Sequence, residues 1–408
     1  MTRRLYYTDS FLYEFDAAVC EVASGARPAV ILDQTAFYPT SGGQVFDTGW
    51  IEASGEKLRV TEVAEDEQGT IVHYIDAAAS LAPGTCVRGA IDAPRRRDHM
   101  QQHSGQHVLS AAFVRLFAMP TVSFHMGEES CTIDLQARSL APAQLDEAGR
   151  LANRVITDDR PVEVSFASLD EARALGVRKL PEVQREKLRL IDIRDFDLTA
   201  CGGTHVRSTG QIGPILLRKT ENVRQGVRVE FVCGERAVGA AQRDHATLVE
   251  AAAAFSAHIS DVPQQVRRAQ AELKAAQKSQ QKLLEDLAEL SAVRLVAESA
   301  LRHSSHSDPF RLVTRVFPDR DAAFVKLLAQ KITAAGPAVA LVASTSGPPT
   351  LVFCQTPGLP FNMGALLKDT MAAAGGRGGG ARDFAQGSLP DAAQVDGALR
   401  QALRFFAP

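Results

Sequence analysis

The feature that most constrains this chain is a pair of short segments, each with two potential metal ligands four residues apart. The first segment carries His103 and His107, and the second, far along the chain, carries Cys201 and His205. Three imidazole nitrogens and one thiolate are a ligand set that Zn²⁺ binds as a tetrahedron. The sequence therefore predicts a fold in which both segments meet around one zinc ion. If Cys201 lay far from the histidine pair, the two segments would instead be unrelated.

The two segments have different local structure. Residues four apart share one face of a helix, and the apolar run after His107, Val108 to Val114, predicts that the first pair lies on a helix. In the second segment, the consecutive glycines 202 and 203 argue against a helix. We therefore expect Cys201 and His205 on a tight loop whose backbone can wrap an ion.

Length and composition exclude several classes of protein. At 408 residues the chain exceeds a typical single domain, so we expect two or three. No apolar run approaches the ~18–20 residues needed to span a membrane, and the first residues lack the apolar core of a signal peptide. The six cysteines have no disulfide-framework spacing, which indicates a reducing compartment. We expect a cytoplasmic protein.

The charge distribution points to local rather than global binding of polyanions. The formal net charge is −3, so any nucleic-acid binding must come from patches. Two basic clusters flank the ligand segments: Arg95 to Arg97, and the basic side chains of 201–240 (Arg207, Arg218, Lys219, Arg224, Arg228 and Arg236). Such clusters are expected around a phosphate-bearing substrate.

Patterning along the chain predicts an α+β protein. Short strand-like runs separated by turns fill residues 1 to 90 and predict a small β-barrel. Helix and strand patterns alternate over 91–240. Residues 241–303 predict a helical linker, in which heptad-spaced apolar residues from Val266 to Leu290 predict a long helix with Pro263 near its start. The seam of this helix could pack in an antiparallel hairpin with residues 240–258 or against a second subunit. Residues 304–408 predict an α/β domain in which Gly375–Gly387 forms a loop, either a connector or a contact for a nucleic-acid backbone.

These segments resemble the alanyl-tRNA editing proteins, the long-form AlaX family related to alanyl-tRNA synthetase. Phe37–Gln44, with Asp47 and Gly49, is similar to the family's glycine-rich motif, and His103–His107 and Cys201–His205 are similar to its two metal motifs. The resemblance implies a translation-factor-like barrel over 1–90, a zinc-binding deacylase domain over 91–240, a helical linker over 241–303 and a DHH-associated domain over 304–408. No adenylate-forming segment precedes Phe37, so it implies a hydrolase acting in trans.

The implied substrate is alanine tRNA mischarged with serine or glycine. An apolar pocket discriminates such small differences by only about 10²-fold, so a second, hydrolytic site is needed for fidelity. Candidates for sensing the serine hydroxyl are Thr40, Ser123 and His125. With no nucleophilic triad in the sequence, we expect water to attack the ester. Four protein ligands would leave zinc no open coordination position for water. The ion is therefore expected to position the substrate and not to activate water, unless one ligand leaves.

Three other readings remain open from sequence. One is a metal-stabilised tRNA-binding module without hydrolytic activity. The second is a deacylase for another mischarged tRNA. The cysteine in the second metal motif and the DHH-associated domain over 304–408 nevertheless favour alanine tRNA as the substrate. The third is a degenerate paralogue, which the presence of all four ligands, His103, His107, Cys201 and His205, disfavours.

Overall fold

The computed structural model describes residues 2–24, 27–53, 55–178, 180, 187–224, 226–304 and 307–407. Its internal contacts divide the chain into two units, Met1–Ala251 and Ala252–Pro408. Both units mix helices with strands, so the predicted α+β class is confirmed. Within the described ranges, every helix is too short or too polar to traverse a bilayer.

A closed barrel forms the first part of unit 1. Its strands and their neighbours are β1 (Arg3–Arg4), β2 (Glu14–Ala23), β3 (Ala29–Leu32), β4 (Gln34–Thr35), β5 (Gly49–Ala53), β6 (Glu56–Glu65), β7 (Ile71–Ile75) and β8 (Cys86–Ile91). Six of them close in the order β2-β3-β7-β6-β5-β8, while β1 and β4 pair in parallel outside the barrel. Inward side chains such as Val30, Ile51 and Val60 fill the interior. The predicted barrel is thus confirmed.

The rest of unit 1 packs helices against antiparallel sheets. Its elements are α1 (Ala93–Phe117), β9 (Thr121–Met126), β10 (Cys131–Leu135), α2 (Pro142–Thr157), β11 (Val162–Ala167), α3 (Leu169–Ala174), β12 (Leu188–Ile193), β13 (Asp197–Ala200), β14 (Ile215–Val223), β15 (Gly226–Cys233) and α4 (Gly234–Ala254). One sheet has the order β14-β15-β10-β9 and the other β11-β12-β13. The core joins α1, through Leu109 and Phe113, to α2 and the four-stranded sheet.

Unit 2 contains a long helix and a six-stranded sheet. Its elements are α5 (Val262–Glu298), β16 (Ala300–Ser304), β17 (Ser307–Phe317), α6 (Ala322–Ala334), β18 (Ala338–Ser344), β19 (Thr350–Gln355), α7 (Met363–Ala373), β20 (Arg377–Gly380), β21 (Phe384–Ser388) and α8 (Val395–Arg404). The sheet order is β16-β17-β18-β19-β21-β20, and α6 crosses between the parallel pair β17 and β18. Helix α5 contains the predicted heptads, of which Leu273, Leu283 and Leu290 are more than half exposed.

The glycine-rich tail differs from prediction. We expected a loop over Gly375–Gly387, whereas β20 and β21 form an antiparallel hairpin at the sheet edge. The glycines allow this because the strands approach closely: a Cβ on Gly378 would lie 2.5 Å from the Gly387 Cα, and a Cβ on Gly380 would lie 2.3 Å from the Phe384 carbonyl oxygen. Sequence rules treat glycine runs as breakers of structure, and here the missing side chains are what permit strand pairing.

Candidate metal centre

Helix α1 presents the first ligand pair from a buried position. The helix begins after Asp92 with Pro94 in its first turn, and ends at Ala118, which adopts a left-handed backbone conformation (φ 52°). Residues 102–113 are all buried, so this part of the helix is enclosed by protein. The His103 and His107 rings stack with centroids 5.1 Å apart, as expected for residues one turn apart on one face.

The loop that follows β13 brings the second pair against this helix. Potential ligand atoms of His103, His107, Cys201 and His205 all lie within 4.8 Å of one another. The Cys201 Sγ is 3.1 Å from the His103 Nε2 and 3.4 Å from the His205 Nε2. A Cβ on Gly203 would lie 2.4 Å from the His103 Cε1, so this position has space only for glycine. The predicted loop thus lies directly on the histidine helix.

The donor set suits a tetrahedral zinc ion. Zn–N bonds of about 2.0–2.1 Å and Zn–S bonds of about 2.3 Å place the donors of a tetrahedron roughly 3.3–3.7 Å apart. The two separations from the Cys201 Sγ, 3.1 and 3.4 Å, are close to this range. Burial would raise the pKa of the Cys201 thiol, but His103 and His107 lower it well below its usual value. Burial lowers the pKa of His205 to about 3. A thiolate and a neutral imidazole are the ligating forms.

Further side chains hold the ligands in place. His107 Nδ1 lies 3.9 Å from the Asp197 Oδ2, and Arg178 binds both oxygens of that carboxylate, at 2.7 and 2.9 Å. Ser104 Oγ is 3.1 Å from the His205 Nδ1. Although burial disfavours the charged form, the Cys201 thiolate and Asp197 raise the pKa of His107. Carboxylate and hydroxyl partners of this kind typically orient metal-binding imidazoles.

The glycine-rich segment of the barrel also reaches the ligand loop. The fully buried Gln44 donates from Nε2 to the Thr204 Oγ1 (2.8 Å) and accepts from the Thr204 backbone N–H at Oε1 (3.1 Å). Gly43 has φ +83°, and a Cβ there would lie 2.3 Å from the Phe124 carbonyl oxygen. The segment therefore packs between β9 and the ligand loop.

A buried ion pair fastens the same segment to α1. Arg96 and Asp47 are both fully buried and form a salt bridge. Arg96 also donates to the backbone carbonyls of Ser10 (2.8 Å) and Ala36 (2.6 Å), and Asp47 accepts from the Tyr38 backbone N–H (2.7 Å). Both the guanidinium and the carboxylate therefore have hydrogen-bond partners, which is the condition under which charged side chains are tolerated in a protein interior.

The predicted hydroxyl-sensing residues occupy three different environments. Thr40 is exposed on the barrel segment, where its backbone N–H donates to the Val63 carbonyl (3.3 Å). Ser123 donates to the Asp134 Oδ2 (2.7 Å), and His125 is exposed. Side chains alternate along β9, so Ser123 and His125 lie on the sheet face opposite Phe124.

Phe124, which the sequence analysis did not single out, contacts the ligand cluster. Its ring lies 5.6 Å from that of His103, centroid to centroid. The alternation of Val122, Phe124 and Met126 along β9 was the available signal, because the apolar side chains of a half-buried strand normally face the core. Asp197, directly before the ligand loop, gave no comparable signal in the sequence.

Two families match parts of the chain. The family "tRNA synthetases class II (A)" matches residues 5–95, and the family "Threonyl and Alanyl tRNA synthetase second additional domain" matches residues 188–229. The second match contains Cys201 and His205, whereas His103 and His107 lie between the two matches.

Relatives are similar over nearly the whole chain. The Alanine–tRNA ligase of Pyrococcus abyssi is 32% identical over 416 residues, covering 99% of this chain and 44% of the relative. That of Thermococcus kodakarensis is 33% identical over 412 residues, with 99% and 44% covered. The chain thus spans less than half the length of these relatives. A crystal structure of the C-Ala domain of Aquifex aeolicus alanyl-tRNA synthetase covers 26% of this chain and 97% of that domain at 20% identity, with a TM-score of 0.23.

Proposed function

We propose that this chain, which is similar to the alanine–tRNA ligases of two archaea and to the second additional domain of threonyl and alanyl tRNA synthetases, is a hydrolase that removes serine from mischarged alanine tRNA. Glycine is the second proposed substrate. The observation that carries the proposal is the closed cluster of His103, His107, Cys201 and His205. Its second half lies within the region similar to that domain, and Cys201 borders a cavity.

The proposed reaction adds water across an ester. The water oxygen bonds to the carbonyl carbon of the aminoacyl group, the bond to the ribose oxygen breaks, and a proton passes to that oxygen. The products are the free amino acid and uncharged tRNA. A separate site for this reaction is needed because apolar pockets discriminate by only about 10²-fold between side chains that differ by a hydroxyl.

Zinc is the proposed resident ion, held by the three histidines and Cys201. When bound, it would supply a fixed positive charge beside the reacting ester. Because four protein ligands complete a tetrahedron, we propose that the ion positions the substrate and does not activate water. Gln44 holds the ligand loop through its two hydrogen bonds with Thr204, and the Asp197 carboxylate lies 3.9 Å from the His107 Nδ1.

The proposed sensor of the serine hydroxyl is Thr40, ahead of Ser123 and His125. Thr40 lies between Pro39 and Ser41, and both of these neighbours line the cavity beside Cys201. Ser123 is engaged with Asp134, and His125 shares its sheet face. A hydroxyl placed to hydrogen-bond the substrate can reject an analogue that lacks the matching group far more strongly than an apolar pocket can.

The first prediction concerns substrate choice. The purified chain should release serine from serine-charged alanine tRNA at least ~10²-fold faster than alanine from alanine-charged alanine tRNA, because only the former offers a hydroxyl to the site. Labelled amino-acid release, with zinc counted in the same preparation, measures this. Cys201→Ala should lose both zinc and activity.

Two outcomes would count against the proposal. Equal release of serine and alanine would remove the fidelity role. Tight tRNA binding without hydrolysis by the zinc-loaded chain would favour the alternative, a metal-stabilised tRNA-binding module. Threonine-charged threonine tRNA, which is correctly charged and also carries a side-chain hydroxyl, serves as the control for deacylation outside the alanine tRNA.

A further inference from the structure

The apolar interior of the barrel contains a histidine. His73, on β7, is fully buried, and so are its cross-strand neighbours, Val30 on β3 and Val63 on β6. The Phe37 ring lies 5.5 Å from the imidazole, centroid to centroid, at 70°. Apolar side chains fill the rest of this core. A polar ring in such a place is tolerated only when its nitrogens have partners.

Both nitrogens of the His73 ring have one. Nδ1 lies 3.0 Å from the Val30 carbonyl oxygen, and Nε2 lies 2.8 Å from the Thr35 Oγ1. Because a carbonyl oxygen can only accept, Nδ1 carries the proton and Nε2 accepts from the Thr35 hydroxyl. The same hydroxyl oxygen accepts from the Phe37 backbone N–H (3.1 Å). Burial lowers the pKa of His73 to about 4, so the ring is neutral at pH 7, as this arrangement requires.

The hydrogen bonds tie the barrel to the glycine-rich segment at two points. Thr35 ends β4, and the chain continues from it to Thr40. The Thr40 backbone N–H donates to the carbonyl of Val63 (3.3 Å), which is the residue paired with His73. One end of the span 35–40 is thus bound by the His73 ring and the other by the strand neighbour of His73. The Thr40 side chain between these anchors and the ligand loop is exposed.

The pair of His73 and Thr35 is better explained by position than by stability. Replacing both partners of a buried hydrogen bond by apolar groups of the same shape can leave stability nearly unchanged. A fully satisfied buried polar network, in contrast, rigidifies its surroundings and specifies one arrangement. Here the arrangement specified is that of the segment leading to Thr40.

We propose that His73 is a positioning residue for serine selectivity: through Thr35 and Val63 it fixes where Thr40 presents its hydroxyl to the aminoacyl group. This inference rests on the proposed function, because Thr40 is the sensor proposed there. His73 itself touches no substrate in this arrangement, since it is enclosed in the barrel.

The first test is amide hydrogen exchange of the zinc-loaded, full-length protein without tRNA. Thr35→Val keeps the side-chain shape but removes the hydroxyl, so the Thr40 N–H should exchange about tenfold faster, as for the loss of one buried hydrogen bond. Thr35→Ser keeps the hydroxyl and should keep the protection. His73→Gln can place an amide oxygen near the position of Nε2 and should largely keep it, whereas His73→Leu should lose it.

Two controls separate positioning from general loss of stability. The Ile91 N–H, which donates to the Tyr13 carbonyl (2.7 Å), is a reference amide in the same barrel and should change less than about twofold in Thr35→Val. Thr61→Val makes the same chemical change at an exposed position on β6, where the hydroxyl donates to the Tyr74 carbonyl (3.3 Å). It should leave Thr40 exchange as in wild type.

The second readout is the ratio of kcat/KM for serine release to that for alanine release from alanine tRNA. Thr35→Val should lower this ratio about tenfold, whereas a purely structural role would lower both rates together. Unchanged Thr40 exchange, equal acceleration at Ile91, or an unchanged ratio in an active enzyme would overturn the inference while leaving the proposed function intact. If Thr40 exchange alone accelerates but wild type releases no serine, the link from His73 to Thr40 stands and the proposed function fails.

Discussion

Single side chains decide how the ligand loop meets its helix. The Gln44 amide donates from Nε2 to the Thr204 hydroxyl and accepts at Oε1 from the Thr204 backbone N–H. A shorter or purely apolar side chain would leave the Thr204 N–H and hydroxyl buried without partners. At this scale the spacing of histidine and cysteine was sufficient to predict which four residues come together. The role of Gln44 was not predictable, because it depends on a contact between distant segments, whereas the alternation along β9 indicated only that Phe124 faces a core.

The prediction at the residue scale is Gln44→Ala. Loss of two buried hydrogen bonds should lower the free energy of unfolding by about 1–3 kcal/mol. The loosened ligand loop should also bind zinc about tenfold more weakly. Urea unfolding and competition with a chelator measure the two effects. Gln34→Ala is the control, because Gln34 bonds only the Asp16 carbonyl at a more accessible position. Zinc affinity equal to wild type would show that Thr204 needs no such partner.

At the scale of elements, helix α1 connects the barrel to the ligand cluster. Arg96, His103 and His107 are spaced by seven and four residues, so they lie along one side of the helix. The buried pair of Arg96 and Asp47 therefore fixes the rotation of the helix about its axis, and with it the direction of both imidazoles.

The prediction at this scale is Asp47→Ala. It leaves the Arg96 guanidinium buried without a carboxylate and should destabilise the protein by about 3–5 kcal/mol. Glu14→Ala removes the partner of Arg88 in an exposed pair on the barrel, with side-chain exposures of 61% and 64%, and should cost at most about 1 kcal/mol. Denaturant titration of both variants gives the comparison. Similar small losses would contradict a structural role for the buried pair.

Element types were largely predictable, whereas the joining of distant strand pairs into one sheet was not. Apolar periodicity predicted the histidine helix, α2, α5 and most strands of the barrel, since a 3.6 or 2.0 repeat follows from burial of one face. Strand order in the β14-β15-β10-β9 sheet joins segments from two distant parts of unit 1 and leaves no local signature. The hairpin of β20 and β21 was missed for a related reason: its glycines serve a close strand approach that only the paired structure reveals.

At the scale of the whole molecule, each unit has its own hydrophobic interior. The barrel core and the core around α1 are made only from residues before Ala251, and the cores of the C-terminal sheet only from residues after Ala252. The candidate metal centre lies entirely within unit 1.

The exposed tail arginines Arg377 and Arg382 and the exposed leucines of α5 belong to unit 2. We propose that unit 2 contacts tRNA and that the α5 seam joins two copies of the chain.

The corresponding prediction is a chain ending at Ala254. The shortened chain should fold, keep zinc and retain a kcat within about threefold of the full chain, because the hydrophobic cores of unit 1 contain only residues that it keeps. Its affinity for tRNA should fall about tenfold or more, since cationic contacts dominate such binding. Filter binding and light scattering test both proposals: the full chain should have twice the monomer mass, and the shortened chain the monomer mass. Unchanged affinity would remove the tail from tRNA recognition, and a monomeric full chain would remove the seam from assembly.

The distance in sequence between the two ligand pairs has a consequence for the order of events on the ribosome. His103 and Cys201 are separated by 98 positions, so a nascent chain offers only two of the four proposed ligands until synthesis reaches Cys201, and all four only after His205. The barrel can close earlier, because all its strands precede residue 92 and domains generally fold from the N-terminus during translation. If the cluster holds zinc as proposed, capture of the ion by all four ligands would be a late step in biogenesis, made on a nearly complete N-terminal unit.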